Sequence, residues 1–269
     1  MERVICRLAA SPHGERFLLK GAMLFTVWEG SPHRATRDLD LLGLRRGSLE
    51  DLVALFHEVI ATPVEPDGLV FGQVTAEPIR AAMEAGGIRV VLRAQLAGAR
   101  IPVQVDVGFG DATVPPPVEV EFPTLLNTPK PKLRAYPPET VIAEKLEAMV
   151  RLGLANSRMK DFFDIWYLAG NHAFEGAVLA EAIRATFAAR DTPLPAGPVT
   201  ALTPEFSQDQ QKRAQWTAFV EQAALSGTTP PWSEVVASIG DFLVPLLASI
   251  QSRSSAPGKW DRSWDGFGR

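Results

Sequence analysis

The sequence contains a single cysteine, Cys6, which excludes an intrachain disulfide and any thiolate metal cluster. A reducing cytoplasm is the compartment that fits. No run approaches the roughly 18 consecutive apolar residues of a membrane-spanning helix; LVPLLASI, near the end, is short and follows Asp241. No membrane partner is therefore expected. The opening residues MERVICRLAASPHGERFLLKG scatter charge among apolar positions and lack the hydrophobic region of a signal peptide. Positive charge is not in excess either. The formal net charge is −4 and the pI is near 5.7, so the global basic field of a non-specific nucleic-acid binder is missing and a polynucleotide would have to meet a local basic patch. His13, His33, His57 and His172 do not fall at the spacing of a zinc site.

What is present is globular composition, with 46% hydrophobic and 22% charged residues over 269 positions, enough for one large domain or two ordinary ones. RFLLK, followed by Gly21 and the apolar stretch from Ala22 to Trp28, reads as strand, tight turn and helix, ended at Gly30. Ser48 is the candidate N-cap of a helix over LEDLVALFHEVIA. Strand patterns then run through VFGQVTAEPIR, RVVLRAQL and RIPVQVDVGFG, with a turn at Ala97-Gly98-Ala99. A proline-rich connection with one or two edge-like strands follows. From Pro137 the period is helical: PPETVIAEKLEAMVRLG, then KDFFDIWYLAG, then helices expected over 175–189, 204–224 and 232–250. The serine-, glycine- and charge-rich end from residue 252 reads as a flexible or partner-dependent tail.

DLDLLGL carries the first sign of chemistry. Asp38 and Asp40 alternate with leucines, so on a strand both carboxylates project from one face and offer hard oxygen ligands to magnesium. Taken alone, this pattern also describes a solvated strand face. Its context is a strand, a glycine turn and a helix one loop upstream, where Gly21 and the Ala22 backbone N–H can cradle phosphates. In RIPVQVDVGFG, Val103, Val105 and Val107 share one face while Gln104 and Asp106 share the other, so Asp106 can point where Asp38 and Asp40 point. The loop GSPHRATR adds His33, Arg34 and Arg37 beside them, suited either to nucleotide phosphates or to solvent. Lys145 reads on its own as a surface lysine, and Asp161 as an acid favoured in a helix's first turn.

The segment LLKGAMLFTVWEGSPHRATRDLDLLGL resembles the nucleotidyltransferase superfamily, and more narrowly the AbiEii/AbiGii-type toxins that include the MenT-type enzymes of bacterial toxin–antitoxin systems. Those proteins have an apolar strand entering Lys/Arg-Gly-Gly/Ser, a helix, and then a D-x-D strand. Lys20, Gly21 and Ala22 occupy the first of these positions, with alanine departing from the pattern. PPETVIAEKLEAMVRLG and RMKDFFDIWYLAG are similar to the family's second and third motifs. By that likeness Lys145 holds nucleotide phosphates, Asp161 orients Lys145 or the acceptor, and Asp106 is the third carboxylate, often the base for the acceptor hydroxyl. Asp164 ranks behind Asp161 because it can pair with Lys160.

The resemblance implies an α/β fold: a mixed, twisted nucleotidyltransferase sheet flanked by helices over residues 1–130, a mainly helical region over 131–251 that completes the active site, and the tail 252–269. It implies Mg2+, two ions, on Asp38, Asp40 and Asp106. It also implies NMP transfer from an NTP to an acceptor hydroxyl such as the tRNA 3′ end, with release of pyrophosphate, and a cognate antitoxin. Two rivals stay open: transfer to a protein or a small molecule such as an antibiotic, and a non-catalytic regulator that keeps the fold.

Overall fold

The computed structural model describes residues 1–30, 34, 36–79, 86–125, 128–225 and 229–264. The chain forms two compact units, the first comprising Met1–Asp111 and Pro116–Tyr136, the second Ala112–Pro115 and Pro137–Arg269.

The first unit opens with helix α1 (Glu2–Ala10), then strand β1 (Phe17–Lys20), helix α2 (Met23–Glu29), strand β2 (Asp38–Gly43) and helix α3 (Leu49–Ala61). Strands β3 (Val70–Pro78), β4 (Ile88–Leu96), β5 (Ala99–Phe109), β6 (Val118–Glu121) and β7 (Lys132–Ala135) complete it. The seven strands form one mixed sheet in the order β3-β4-β5-β2-β1-β7-β6. Within it β2 pairs parallel with β5 and β1 parallel with β7, and the other neighbours are antiparallel. The strands of the proline-rich connection are not both at the edge: β6 is, but β7 lies inside it against β1. The prolines at 129, 131 and 137 flank β7 without entering it, so its ladder donors are kept.

Alternation of burial fixes the faces. Leu39 and Leu41 of β2, Val90 and Leu92 of β4, and Val105 and Val107 of β5 are all buried, while the residues between them face the other way. α3 lays Leu52, Leu55, Phe56 and Val59 into the core. At its start the Ser48 side chain accepts from the Asp51 backbone N–H while the Asp51 carboxylate accepts from Ser48 N–H, a reciprocal cap. α1 is tied to the segment before β3 by ion pairs. Arg3 Nε and Arg7 Nη1 reach Asp67 Oδ2 at 2.8 and 2.6 Å, and the Leu69 N–H donates to the same carboxylate. Burial alone would push the Asp67 carboxyl up, but the hydrogen bonds from Arg7, Arg3 and Leu69 outweigh it and hold the group well below the usual carboxylate range.

The second unit is helical: α4 (Pro138–Leu152), α5 (Met159–Asn171), α6 (Gly176–Ala189), α7 (Pro204–Gln208), α8 (Gln210–Gln222) and α9 (Trp232–Ser252). The single helix expected over 204–224 is two, because Asp209 breaks the run and its side chain caps α8 by accepting from the Lys212 N–H. α9 is long and apolar enough, by length and composition, to cross a membrane; Asp241 and Pro245 interrupt its apolar run, which is why a search for consecutive residues passes it over. Half of its most apolar stretch is buried inside the protein.

Within the tail expected from residue 252, the segment Lys259–Trp264 packs against the second unit's helices. β9 (Lys259–Trp260) pairs antiparallel with β8 (Phe174–Glu175). Trp260 Nε1 donates to the Ala169 carbonyl at 2.7 Å and Trp264 Nε1 to the Phe242 carbonyl at 2.9 Å. Both indoles are buried, and each stands close to the Phe242 ring. Two tryptophans whose polar ends each find a carbonyl add more apolar surface to the core than a serine-rich composition suggests.

Candidate active site

The acidic centre is built by strand register. β2 and β5 run parallel with Asp38 opposite Gln104 and Asp40 opposite Asp106. β1 sets Lys20 opposite Asp40, and β4 sets Arg89 opposite Asp106. One row across four neighbouring strands therefore reads Lys20, Asp40, Asp106, Arg89. Two carboxylates occupy its middle and a cation each end. Asp38 joins them from two residues along β2, on the same face as the pleat requires.

Carboxylate oxygens of Asp38, Asp40 and Asp106 all lie within 4.8 Å of one another, and the three residues are half-buried. Three like charges this close repel unless a cation lies among them. Three hard oxygens, partly open to solvent, are the donor set that magnesium or calcium takes, so the residues present fit a divalent cation.

Asp38 and Asp106 are each held by a neighbour. Thr36 Oγ1 donates to Asp38 Oδ1 at 2.8 Å. Arg89 grips Asp106 with two hydrogen bonds, Nε to Oδ1 at 2.9 Å and Nη2 to Oδ2 at 2.8 Å, the bidentate geometry that a guanidinium suits. The hydrogen bond to Asp106 in turn raises the Arg89 pKa above its ordinary value. Gly21, at φ +70, sits against Asp40: a Cβ there would approach Asp40 Cβ to 2.7 Å and collide with the carboxylate. Glycine is required at this position both for the backbone conformation and for the space.

Lys20 is buried, and its Nζ lies 2.7 Å from Asp111 Oδ2 and 5.0 Å from the centre of the Tyr136 ring. A buried ammonium needs such partners. The Ala22 backbone forms the N-cap of α2, and Arg37 is exposed immediately before β2. Arg34 is half-buried, and His33 lies outside the described residues.

The second unit holds the other two expected residues in one cluster. Lys145 Nζ on α4 is 2.8 Å from Asp161 Oδ1 and 2.8 Å from Asp164 Oδ2, both on α5. Arg158 Nε is 2.7 Å from Asp161 Oδ2. Both carboxylates are buried, and paired cations offset the cost of burying them. Asp164, which the sequence ranks behind Asp161, meets the same ammonium at the same distance. Arg151, in the last turn of α4, is paired with Glu147 at 3.0 Å.

Arg89, Thr36, Asp111 and Tyr136 are the contacts that sequence reasoning missed. Arg89 had a signal in the turn read at Ala97-Gly98-Ala99: taken as the two-residue turn that the positive φ of Ala97 and Gly98 makes it, counting back sets Arg89 across from Asp106. Asp111 follows Gly110 beyond the end of β5 and had none.

Residues 3–238 match the family described as nucleotidyl transferase AbiEii toxin, type IV TA system. JHP933 from Helicobacter pylori has a similar crystal structure, with a TM-score of 0.54 at 17% identity over 93% of this chain and 89% of that one. So does a candidate nucleotidyltransferase from H. pylori, with a TM-score of 0.50 at 18% identity over 93% and 92%. These two likenesses establish the fold. No curated protein shows significant similarity. The chain belongs to the AbiEii family of nucleotidyltransferase toxins of type IV toxin–antitoxin systems, which implies a cognate antitoxin.

Proposed function

We propose that the protein is a cytoplasmic, magnesium-dependent enzyme that transfers NMP from an NTP to an acceptor hydroxyl, with the tRNA 3′ end as the acceptor. The observation that carries the reading is the convergence of Asp38, Asp40 and Asp106 beside Gly21, whose missing side chain leaves the Asp40 carboxylate its room. Magnesium, as two ions, would be held by the three aspartates and would supply Lewis-acid stabilisation of the entering and leaving oxygens. In the transfer, a bond forms from the acceptor oxygen to the α-phosphorus, the bond from the α-phosphorus to the bridging oxygen breaks, the hydroxyl's proton passes to solvent and pyrophosphate leaves.

The residues of the chain hold and orient. Thr36 and Arg89 fix the carboxylates of Asp38 and Asp106, so that little reorganisation is needed as charge develops. With both oxygens accepting from Arg89, Asp106 serves as an anchored ligand more readily than as a base. Gly21 and Ala22 supply backbone to the nucleotide, and Arg37 an exposed charge. Lys20, bound to Asp111, contributes fixed positive charge beside Asp40. Lys145 takes the phosphates, and its ion pairs with Asp161 and Asp164 hold its long side chain in one rotamer. A second reading, transfer to a protein or an antibiotic, is favoured by the net charge of −4.

Labelled NTPs incubated with the protein and with total RNA, cell protein or aminoglycosides separate these readings. Label is expected on RNA, dependent on Asp40. Label confined to protein or drug would exclude the tRNA acceptor, and labelling and growth inhibition that survive Asp40→Ala would remove the enzyme itself.

A further inference from the structure

A polyanionic acceptor needs basic surface, and two arginines of the second unit are engaged in ion pairs: Arg151 with Glu147 and Arg158 with Asp161. The first unit holds another candidate. At the far end of β3, β4 and β5 from the aspartates lies a cavity of about 480 Å3 whose lining includes Arg93, Arg100, Gln73, Gln95, Val91 and Pro102. Its lining contains two arginines and no acid, in a protein whose net charge is negative. Both arginines are exposed, and neither makes an ion pair among the described residues.

Four of its lining residues, Arg93, Gln95, Arg100 and Pro102, share a face of the sheet with the acidic centre. Along β5 that face carries Arg100, Pro102, Gln104 and Asp106, and along β4 Arg89, Val91, Arg93 and Gln95, because alternate residues share a side. The intervening Val90, Leu92, Ala94, Val103 and Val105 are buried on the opposite side. From Arg100 to Asp106 is six residues, roughly 20 Å at about 3.3 Å per residue. A chain lying along the strands would thus pass from the arginines, over Pro102 and Gln104, to the aspartates. Gln104 Nε2 already touches Asp106 Oδ2 at 3.4 Å.

We infer that this face of β3, β4 and β5 is the acceptor track: it binds the single-stranded end of a polynucleotide, with Arg93 and Arg100 on its phosphates, and leads its terminal hydroxyl to Asp38, Asp40 and Asp106. The inference rests on the nucleotidyltransferase reading and names the surface that selects its acceptor. A groove three strands wide and about 480 Å3 in volume is sized for one strand rather than a duplex. Its arginines and neutral amides, set among the apolar Val70, Phe71, Val91 and Ile101, suit phosphates, base edges and base faces without reading sequence.

Binding of a short fluorescent single-stranded RNA, followed by anisotropy at increasing salt and without NTP, tests the track on the full chain. Arg93→Gln with Arg100→Gln is expected to weaken binding about tenfold and to lower the slope of log affinity against log salt by about 1.4, two phosphates at about 0.7 each for single strands. KM for NTP should not change. Arg93→Lys with Arg100→Lys, which keeps both charges, should retain most of the affinity and shows that loss in the glutamine variant is not misfolding. Unchanged affinity and slope in the glutamine variant overturns the inference, as does binding of fluorescent polyglutamate but not of the RNA, which would mark a protein-docking face. Neither result touches the nucleotidyltransferase reading, which falls only if NMP transfer survives Asp40→Ala.

Discussion

Asp40 is the most constrained residue of the candidate site. It stands between Lys20 and Asp106 in the strand register and leaves no space for a side chain at position 21. Asp40→Asn removes a hard anionic ligand while keeping shape, so NMP transfer is expected to fall by at least about a hundredfold, the upper end of what disturbing a metal's outer shell costs, with thermal stability maintained. Gly21→Ala should reach a similar loss by another route, since its Cβ must displace the Asp40 carboxylate. Comparing divalent-ion binding by calorimetry with activity distinguishes a lost ligand from a displaced one. Arg89→Met leaves all three acids in place but frees Asp106 to turn, and should weaken divalent-ion binding by roughly ten- to a hundredfold. An unchanged affinity in that variant would deny Arg89 its orienting role.

Two elements owe their positions to single groups. α1 is fastened through Arg3 and Arg7 to Asp67, whose side chain is only 2% exposed. Removing one partner leaves buried charge uncompensated, so Asp67→Ala should cost about 3–5 kcal/mol in chemical denaturation. The sign of the pH effect follows from the lowered Asp67 pKa. A carboxyl whose folded pKa is depressed contributes stability that is complete above its unfolded pKa of about 3.9 and is lost as pH falls below it. Wild-type stability should therefore drop on acidification below about pH 4 more steeply than that of Asp67→Asn. At the other end of the chain, β9 and the two tryptophans after α9 complete the second unit's core. Trp260→Ala is expected to destabilise that unit by about 3–5 kcal/mol, read as a lower melting transition, whereas a flexible tail would tolerate the change.

The molecule as a whole joins a sheet that gathers three carboxylates to a helical unit that buries Lys145 against Asp161 and Asp164. Chelation of divalent cations should abolish transfer and leave the circular dichroism spectrum unchanged, because the sheet's register rests on its own ladders and core. Lys145→Ala should abolish transfer too, and leave two buried carboxylates short of a cation, so its stability must be measured beside its activity. Lys145→Arg, which keeps the charge but changes the donor geometry, separates the two effects: folding restored without activity marks a phosphate-binding role.

The amino-acid sequence by itself determined most of what local periodicity controls, the break at Asp209 excepted. A period of two put Asp38 and Asp40 on one face and Asp106 opposite its valines; a period near 3.6 marked α3, α4 and α5; glycine at 21 marked the turn. Such signals act within a few residues, where side-chain direction follows from backbone geometry alone. Only the tertiary structure decided which strands are neighbours. The parallel pairing of β2 with β5 joins residues more than sixty positions apart, and no local pattern states its register. That pairing turns two separate acidic strands into one cation site, delivers Arg89 to Asp106 and places Asp111 against Lys20. The packing of Trp260 and Trp264 has the same origin: the composition of 252–269 is that of a tail, and the two indoles become core because the carbonyls of Ala169 and Phe242 await their N–H groups.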